Sequence, residues 1–402
     1  LREPEGPAAY ELGQLENRNE IASATKTTIA QTLFTGNPRL DALSGNSLSL
    51  FSIRYFGHAR RTAESVLVLM EQRRVGSCKS ALVSYLRVNN KARVRPLRIV
   101  LIGQAAFGEK VLTELHARGE EIVCVFTPPD KPGGKIDPLK AKAIELKIPV
   151  SQPKSFKTDE VYEHFKSLDA DLAILAYVTV IVPERILYLP KHKSICFHPS
   201  LLPRHRGGSA VNWAIIQGDT ETGVTVFWPD QGIDTGPILL QKRAPIYETD
   251  TAGSLYFERL FPLGIEAIIE SVELIKAGRA PAIPQDESLA TYEPLCRDEH
   301  ARIDFSRPAQ QVYNLVRGCD PQPGAWAEMN GKRVRLYGPS LEKDAPSEAP
   351  GTVLSVDADG MRLALSGAIL KVTRLRIEPN QQKLAPQELV ARGELAVGDR
   401  LT

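Results

Sequence analysis

The sequence predicts an α/β fold: a doubly wound, mostly parallel sheet over residues 97–290, followed by a small β-rich, barrel-like unit over residues 291–402. Three observations carry this. Short apolar runs alternate with helical patterns from Leu97 to about residue 276. From about residue 302 the pattern changes to short β-type runs separated by turn signals. The whole chain, 402 residues with 43% hydrophobic and 24% charged, has the composition of a globular protein with a sizeable core.

In the first unit, Leu97–Gly103 (LRIVLIG) is a strongly apolar run ending in Gly, the pattern of a parallel strand buried on both faces. Ala105–Arg118 places Val111, Leu112 and Leu115 on one helical face. Glu121–Phe126 (EIVCVF) is a second strand, and Thr127–Asp137 is a Pro/Gly loop. Leu139–Leu146 and Asp159–Leu168 read as helices, with a short strand beginning at Pro149–Val150 between them. Asp171–Tyr177 (DLAILAY) and Ser194–Phe197 are further buried strands. Val211–Gln217 reads as a helix, Gly223–Trp228 (GVTVFW) as a strand, and Leu255–Lys276 as a long amphipathic helix capped by Gly278. In the second unit, Ala309–Arg317 is helical. The runs Arg333–Tyr337, Gly351–Val356, Met361–Leu365 and Ala368–Arg374 are strands.

Residues 1–96 show neither a 3.6 nor a 2 period, and are expected to be a disordered leader or sequence upstream of the true start. Residues 51–98 carry eleven Lys/Arg against Glu64 and Glu71. An Arg-rich, acid-poor stretch also suits a transit peptide or a nucleic-acid arm, but a transit peptide sits at the extreme N-terminus. Ser65–Gln72 has the pattern of a short helix. Residue 1 is Leu and the chain holds three Met.

The formal net charge of +2 advertises no global nucleic-acid field. Cys78, Cys124, Cys196, Cys296 and Cys319 are scattered with no CxxC pair, which argues against a disulfide framework or a zinc site and fits a reducing, cytoplasmic setting. No apolar run approaches the ~20 residues of a membrane span, so no membrane partner is expected.

Three motifs invite a functional reading. Gly103–Gly108 follows a strand and opens a helix, yet it has neither P-loop nor GxGxxG spacing, and a tight strand-to-helix turn accounts for it. Asp234-Thr-Gly236 resembles the aspartic-protease tripeptide, but that chemistry needs two carboxylates sharing a proton and the tripeptide occurs once. The informative stretch is 194–241. His198 directly follows a buried strand, where α/β folds place ligand sites, and precedes Pro199 and the polar loop SLLPRHRG. Asp234 sits in a turn flanked by Gly232 and Gly236. A His–Asp pair with no Ser or Cys nucleophile suits proton transfer during acyl transfer.

These residues resemble the folate-dependent formyltransferases, whose hallmark is a His in HPSLLPxxRG and an Asp in a GxDTG loop. The resemblance runs from LRIVLIGQAAFG through the long helix, and from ARIDF (301–305) through PGAW (323–326) into an OB-like C-terminal region, about 300 of the 402 residues. It implies a formyltransferase-like variant of the Rossmann fold acting on 10-formyltetrahydrofolate, with no metal and no NAD(P). His198 and Asp234 take the family's catalytic positions. The pterin is expected between the Ala176–Pro183 loop (Ala176, Tyr177, Val178) and the Gly232–Gly236 loop (Gly232, Ile233, Thr235, Gly236). Arg204, His205 and Arg206 either meet the folate tail or the acceptor, or face solvent.

The family usually has Asn two residues before the His, and this chain has Cys196. An amide N–H is a good oxyanion donor and a thiol a weak one. Apolar flanks make Cys196 a buried structural thiol rather than a nucleophile. Family members with a non-amide residue there resemble the hydrolase domain of 10-formyltetrahydrofolate dehydrogenase. The resemblance therefore implies release of formyl to water. Neither the carrier nor the aldehyde-dehydrogenase domain of that protein fits in this chain, so no NADP-linked oxidation is expected from it.

The alternative acceptor is initiator methionyl-tRNA. Residues 301–402 hold 14 Lys/Arg against 12 Asp/Glu, net +2, which is weak support for many phosphate contacts, although Lys332, Arg333 and Arg335 form a local cluster. A folate-binding module without turnover is a third reading, opposed by the retained His198 and Asp234. Leu97 falls where the family's initiator Met would lie, so a chain beginning there is expected to keep full activity.

Overall fold

The computed structural model describes residues 95–402. The leader reading and the Ser65–Gln72 helix lie outside the described residues. The first sheet is built from β1 (Arg98–Gly103), β2 (Glu121–Phe126), β3 (Val150–Ser151), β4 (Leu172–Ala176) and β5 (Ser194–His198), with a separate short β6 (Arg206–Gly207), then β7 (Glu221–Phe227) and β8 (Ile238–Pro245). Its order is β3-β2-β1-β4-β5-β7-β8, with the first five strands parallel and the last two antiparallel. Alternate residues of a strand enter opposite layers. Ile99 and Leu101 pack with the helices Ala105–Ala117 and Phe261–Lys276, whereas Val100 and Ile102 pack with Phe126, Phe156 and Phe165. The same alternation sends Phe197 into the first layer, where it stacks on Phe107 at 4.2 Å, and turns Cys196 toward the second.

The long helix expected over Leu255–Lys276 has a π-turn. An α-helical turn at Ala252–Leu255 passes through Tyr256–Leu260 into Phe261–Lys276. Pro262 lacks the N–H that an unbroken α ladder requires, which accounts for the irregularity just ahead of it. β8 (ILLQKRAP) is not marked in the sequence, because its apolar start gives way to Gln241, Lys242 and Arg243.

After β9 (Tyr292–Glu293), which pairs with β6 alone, come β10 (Ala325–Met329), β11 (Lys332–Glu342), β12 (Val353–Asp357), β13 (Gly360–Leu365) and β14 (Ala368–Ile377). They form an antiparallel sheet in the order β10-β11-β14-β13-β12 over a core of its own. β11 runs further than its sequence suggests because Gly338 takes φ +62° and Pro339 stays paired with Val372. β10 and the Pro386–Ala391 helix were not anticipated. The sheet's two edges are not paired with each other as strands. Residues 398–402 bridge them instead: Glu328 and Thr402 exchange two backbone hydrogen bonds, and Val353 bonds Asp399 and Gly398. The expected barrel is thus closed by an irregular segment.

The cysteines are less scattered than their spacing suggests. Cys296 and Cys319 are free thiols with their sulfurs 3.9 Å apart. Among the described residues no helix is long and apolar enough to cross a membrane.

Candidate functional site

Strand order reverses between β1 and β4, and in open α/β sheets ligands bind beyond the carboxyl ends of the strands at that point. Gly103 ends β1, and a Cβ there would lie 2.3 Å from the Ala176 carbonyl oxygen, so the two strand ends can approach only because residue 103 has no side chain. Ala176 is itself fully buried and offers backbone alone. Tyr177 follows it with φ +62°. Beyond it Val178 is half-buried, while Tyr177, Val180 and Ile181 are exposed.

The 228–237 loop carries a matching exposed side chain, Ile233. Gln231 Nε2 ties this loop to Glu184 Oε2 at 2.6 Å, next to the 177–183 segment. Asp230 Oδ1 accepts from the Gly232 amide (3.0 Å) and the Thr235 hydroxyl (2.6 Å), so Thr235 shapes the loop from within. Gly236 admits no side chain, since a Cβ would meet the Trp228 carbonyl oxygen at 1.8 Å. The two loops thus offer apolar side chains and free backbone edges, which suit a flat heterocycle with a polar rim.

His198 closes β5 and is 6% exposed. Its Nε2 lies 2.7 Å from the carbonyl oxygen of His205. A carbonyl only accepts, so this nitrogen carries the hydrogen and the neutral ring keeps its lone pair on Nδ1. Nδ1 faces Asp234 Oδ2 at 3.5 Å. Asp234 takes φ +57°, and its Oδ2 accepts from the Gly207 amide at 2.8 Å. The structure therefore brings the two residues together. Among the described residues, Oδ1 of Asp234 receives no hydrogen bond.

Cys196 lies two residues before His198 on β5. Burial first, and the Asp234 carboxylate second, push its thiol well above the usual range. It stays a neutral S–H whose nearest acceptor is the Phe197 carbonyl at 3.7 Å. A thiol in this state is neither a nucleophile nor a strong donor.

His205 and Arg206 are buried on carboxylates, whereas Arg204 is exposed and keeps one ion pair. Arg204 Nη2 bonds both oxygens of Asp219 at 3.0 and 3.2 Å. The His205 ring, 3% exposed, lies between Asp219 (Nε2 to Oδ2, 2.8 Å) and Glu293 (Nδ1 to Oε1, 3.3 Å). Arg206 is buried against Glu287 (2.6 and 2.8 Å) and Gln285 (2.8 and 3.1 Å). The Glu287 carboxylate raises the Arg206 guanidinium above its usual range. Gln285 Nε2 in turn donates to the carbonyls of Asp234 (2.8 Å) and Gly236 (2.7 Å). Arg206 thus braces the Asp234 loop through Gln285. Sequence reasoning missed Asp219, Asp230, Gln285 and Glu293. Gln285 and Glu293 lie about 80 residues beyond the His198 loop, and no local motif marks them.

Of Lys332, Arg333 and Arg335, the lysine is exposed and the two arginines are turned onto carboxylates. Arg333 pairs with Asp298 (2.8 Å) and lies over the Trp326 ring, and Arg335 is 4% exposed between Asp298 (2.7 Å) and Glu378 (2.8 Å). Among the described residues no group of three or more His, Cys, Asp or Glu is placed to hold a metal.

Comparison with known proteins gives a consistent result. The formyl transferase family pattern matches residues 97–272, and the formyl transferase C-terminal domain pattern matches residues 296–393. A mouse mitochondrial 10-formyltetrahydrofolate dehydrogenase is 43% identical over 314 residues, 75% of this chain but 34% of that protein. The chain therefore spans about a third of the length of that relative. A Geobacter sulfurreducens methionyl-tRNA formyltransferase is 37% identical over 310 residues, 76% of this chain and 96% of that protein. The crystal structure of HypX from Aquifex aeolicus in complex with tetrahydrofolic acid shares the fold, with a TM-score of 0.57 at 21% identity over 75% of this chain and 48% of that one.

Proposed function

The chain belongs to the formyl transferase family, and from that premise we propose that it releases the formyl group of 10-formyltetrahydrofolate to water, giving tetrahydrofolate and formate. The observation that carries the choice of acceptor is Cys196. A neutral, weakly donating thiol stands where the family usually keeps an amide, and the 43% identical relative is a 10-formyltetrahydrofolate dehydrogenase.

On this reading each group has a task. The pterin lies between the 177–183 and 232–236 loops, its faces on Tyr177, Val178 and Ile233 and its edges on loop backbone. Asp234 Oδ1 orients the attacking water. As the water oxygen bonds to the formyl carbon, its proton passes to Nδ1 of His198, and the imidazolium so formed is held by the His205 carbonyl on one side and Asp234 on the other. Return of that proton to N10 lets the tetrahedral oxyanion collapse and the C–N10 bond break, and tetrahydrofolate leaves with formic acid, which ionises to formate in solvent.

Transfer to methionyl-tRNA is the second reading. It is favoured by a relative matched over 96% of its length and opposed by the inward pairing of Arg333 and Arg335. One assay separates the two. Purified protein is incubated with 10-formyltetrahydrofolate, with and without methionyl-tRNA, while formate and formyl-methionyl-tRNA are both followed. Formate release that methionyl-tRNA does not divert is the expected outcome. Formyl-tRNA produced far faster than formate overturns it.

A further inference from the structure

Two backbone groups within residues 205–207 hold the two ends of the His198–Asp234 pair. The carbonyl of His205 takes the Nε2 hydrogen of His198, and the amide of Gly207 holds Asp234 Oδ2. We infer that His205 is a positioning residue for this pair, and that Asp219 and Glu293 clamp its ring so that its carbonyl fixes the tautomer of His198. The inference rests on the function proposed above for the same pair.

Three observations on His205 carry it. Its backbone holds φ +56°, a left-handed conformation that a side chain of this size does not adopt unless its surroundings enforce it. Its ring, in a pocket from which water is largely excluded, is hydrogen-bonded through Nε2 to Asp219 Oδ2 at 2.8 Å, and Glu293 Oε1 stands 3.3 Å from Nδ1 without a hydrogen bond. Both carboxylates are held in turn, Asp219 by Arg204 and Glu293 by Gln217 Nε2 at 3.1 Å. Finally, its amide donates to Thr291 Oγ1 at 2.8 Å while the Arg206 amide bonds the Thr291 carbonyl at 3.0 Å.

Burying an imidazole between two carboxylates is costly, the more so as His205 Nδ1 and Glu293 Oε2 have no hydrogen-bond partner among the described residues, and a position that needed only filling would be served by an apolar side chain. What this arrangement supplies is direction. With the ring and the amide both fixed, the carbonyl at 205 cannot rotate away from His198. A carbonyl there forbids the tautomer with hydrogen on Nδ1, the nitrogen that must stay open toward Asp234 and the reacting atoms. The clamp reaches beyond the α/β sheet, because Thr291 and Glu293 belong to the segment that leads into the C-terminal sheet. The alignment of the pair thus depends on how that segment is seated.

The test uses the full chain. His205→Leu removes both ring nitrogens. His205→Asn keeps an amide donor toward Asp219 and accepts a left-handed backbone. His205→Leu is expected to lower kcat for formate release about 10- to 100-fold with KM within about twofold, as for a small misplacement of a reacting group. His205→Asn is expected to restore most of that loss. The 15N spectrum of the imidazoles should show His198 hydrogenated at Nε2 in the parent and mixed between nitrogens in His205→Leu. An unchanged kcat in folded His205→Leu, a loss that falls on KM alone, or a loss that His205→Asn does not restore overturns the inference.

If His205→Leu fails to fold, Thr291→Val removes the acceptor of the His205 amide at nearly constant volume, and an unchanged kcat there is equally fatal. Absence of formate from the parent protein defeats the proposed function instead. The 15N spectrum still decides the tautomer claim in that case.

Discussion

In the seven-stranded sheet and its loops, eight non-glycine residues hold φ between +43° and +64°, whereas in the five-stranded sheet, among the described residues, Asn330 alone does. Asn330 precedes Gly331 in the β10–β11 hairpin, where a tight turn demands a positive φ and Asn tolerates it. Three of the eight, Lys147, Asp169 and Lys193, lie in turns that enter β3, β4 and β5 and do the ordinary work of ending a helix or turn. The other five are Ala105, Tyr177, His205, Ser209 and Asp234, after β1, after β4, along the His198 loop and in the loop that faces it. Each strained residue costs on the order of 1–3 kcal/mol, so the cluster persists only where the surroundings impose it. Both regions bury arginines on carboxylates. In the first they brace loops around His198 and Asp234, and in the second Arg335 ties Asp298 to β11 and Glu378 and faces no such loop. The difference teaches that similar charge pairing has two uses, and that backbone strain marks which is which.

The comparison is broken most sharply at the pair itself. His198→Ala and Asp234→Ala are each expected to lower formate release roughly 10³-fold, the scale of a lost proton-transfer group, with the thermal midpoint nearly unchanged. Activity near that of the parent in either variant removes that residue from the site. Cys196→Asn is expected to act less strongly. It restores an amide beside His198, and donors of that kind are worth about 10²–10³ in turnover. The ratio of formyl transfer to hydrolysis should rise by about tenfold or more, read from the same two-product assay. An unchanged ratio would mean that the thiol does not choose the acceptor.

The fold class was legible because β1, β2, β4 and β5 are short apolar runs whose burial their own composition announces. His198 and Asp234 were legible because each stands in a local motif. β8 and β10 were not, since β8 turns polar after Leu240 and β10 is a five-residue run, AWAEM, of mixed character. The fate of Arg204, His205 and Arg206 was also hidden. Charge alone cannot tell the exposed Arg204 from His205 and Arg206, which are buried on Asp219, Glu293 and Glu287, partners 14 to 88 residues away. Gln285 illustrates the same limit. Its amide joins Arg206 to the Asp234 loop, and nothing in the residues around it signals that position.

Arg335 gives the converse test. It bonds Asp298 with both terminal nitrogens (2.8 and 2.7 Å), Glu378 through Nε (2.8 Å), and the carbonyls of Pro323 and Gly324 (3.1 Å each). The guanidinium holds the Asp298 carboxyl below its usual range, and the arginine is raised in return. Arg335→Met should destabilise the protein by about 1–2 kcal/mol, a figure kept low because Asp298 is half exposed and solvent screens it. The sign with pH is fixed by the depressed carboxyl. Its contribution is complete above the unfolded carboxylate value of about 4 and is lost as pH falls through the lower folded value. Urea unfolding of parent and variant should therefore show a constant gap from pH 7 to about 5 that narrows toward pH 3. kcat measured at pH 7 should not change. A gap that persists at pH 3 denies the ion pair its role. A fall in kcat without a fall in stability would place Arg335 in the service of the active loops and erase the distinction between the two regions.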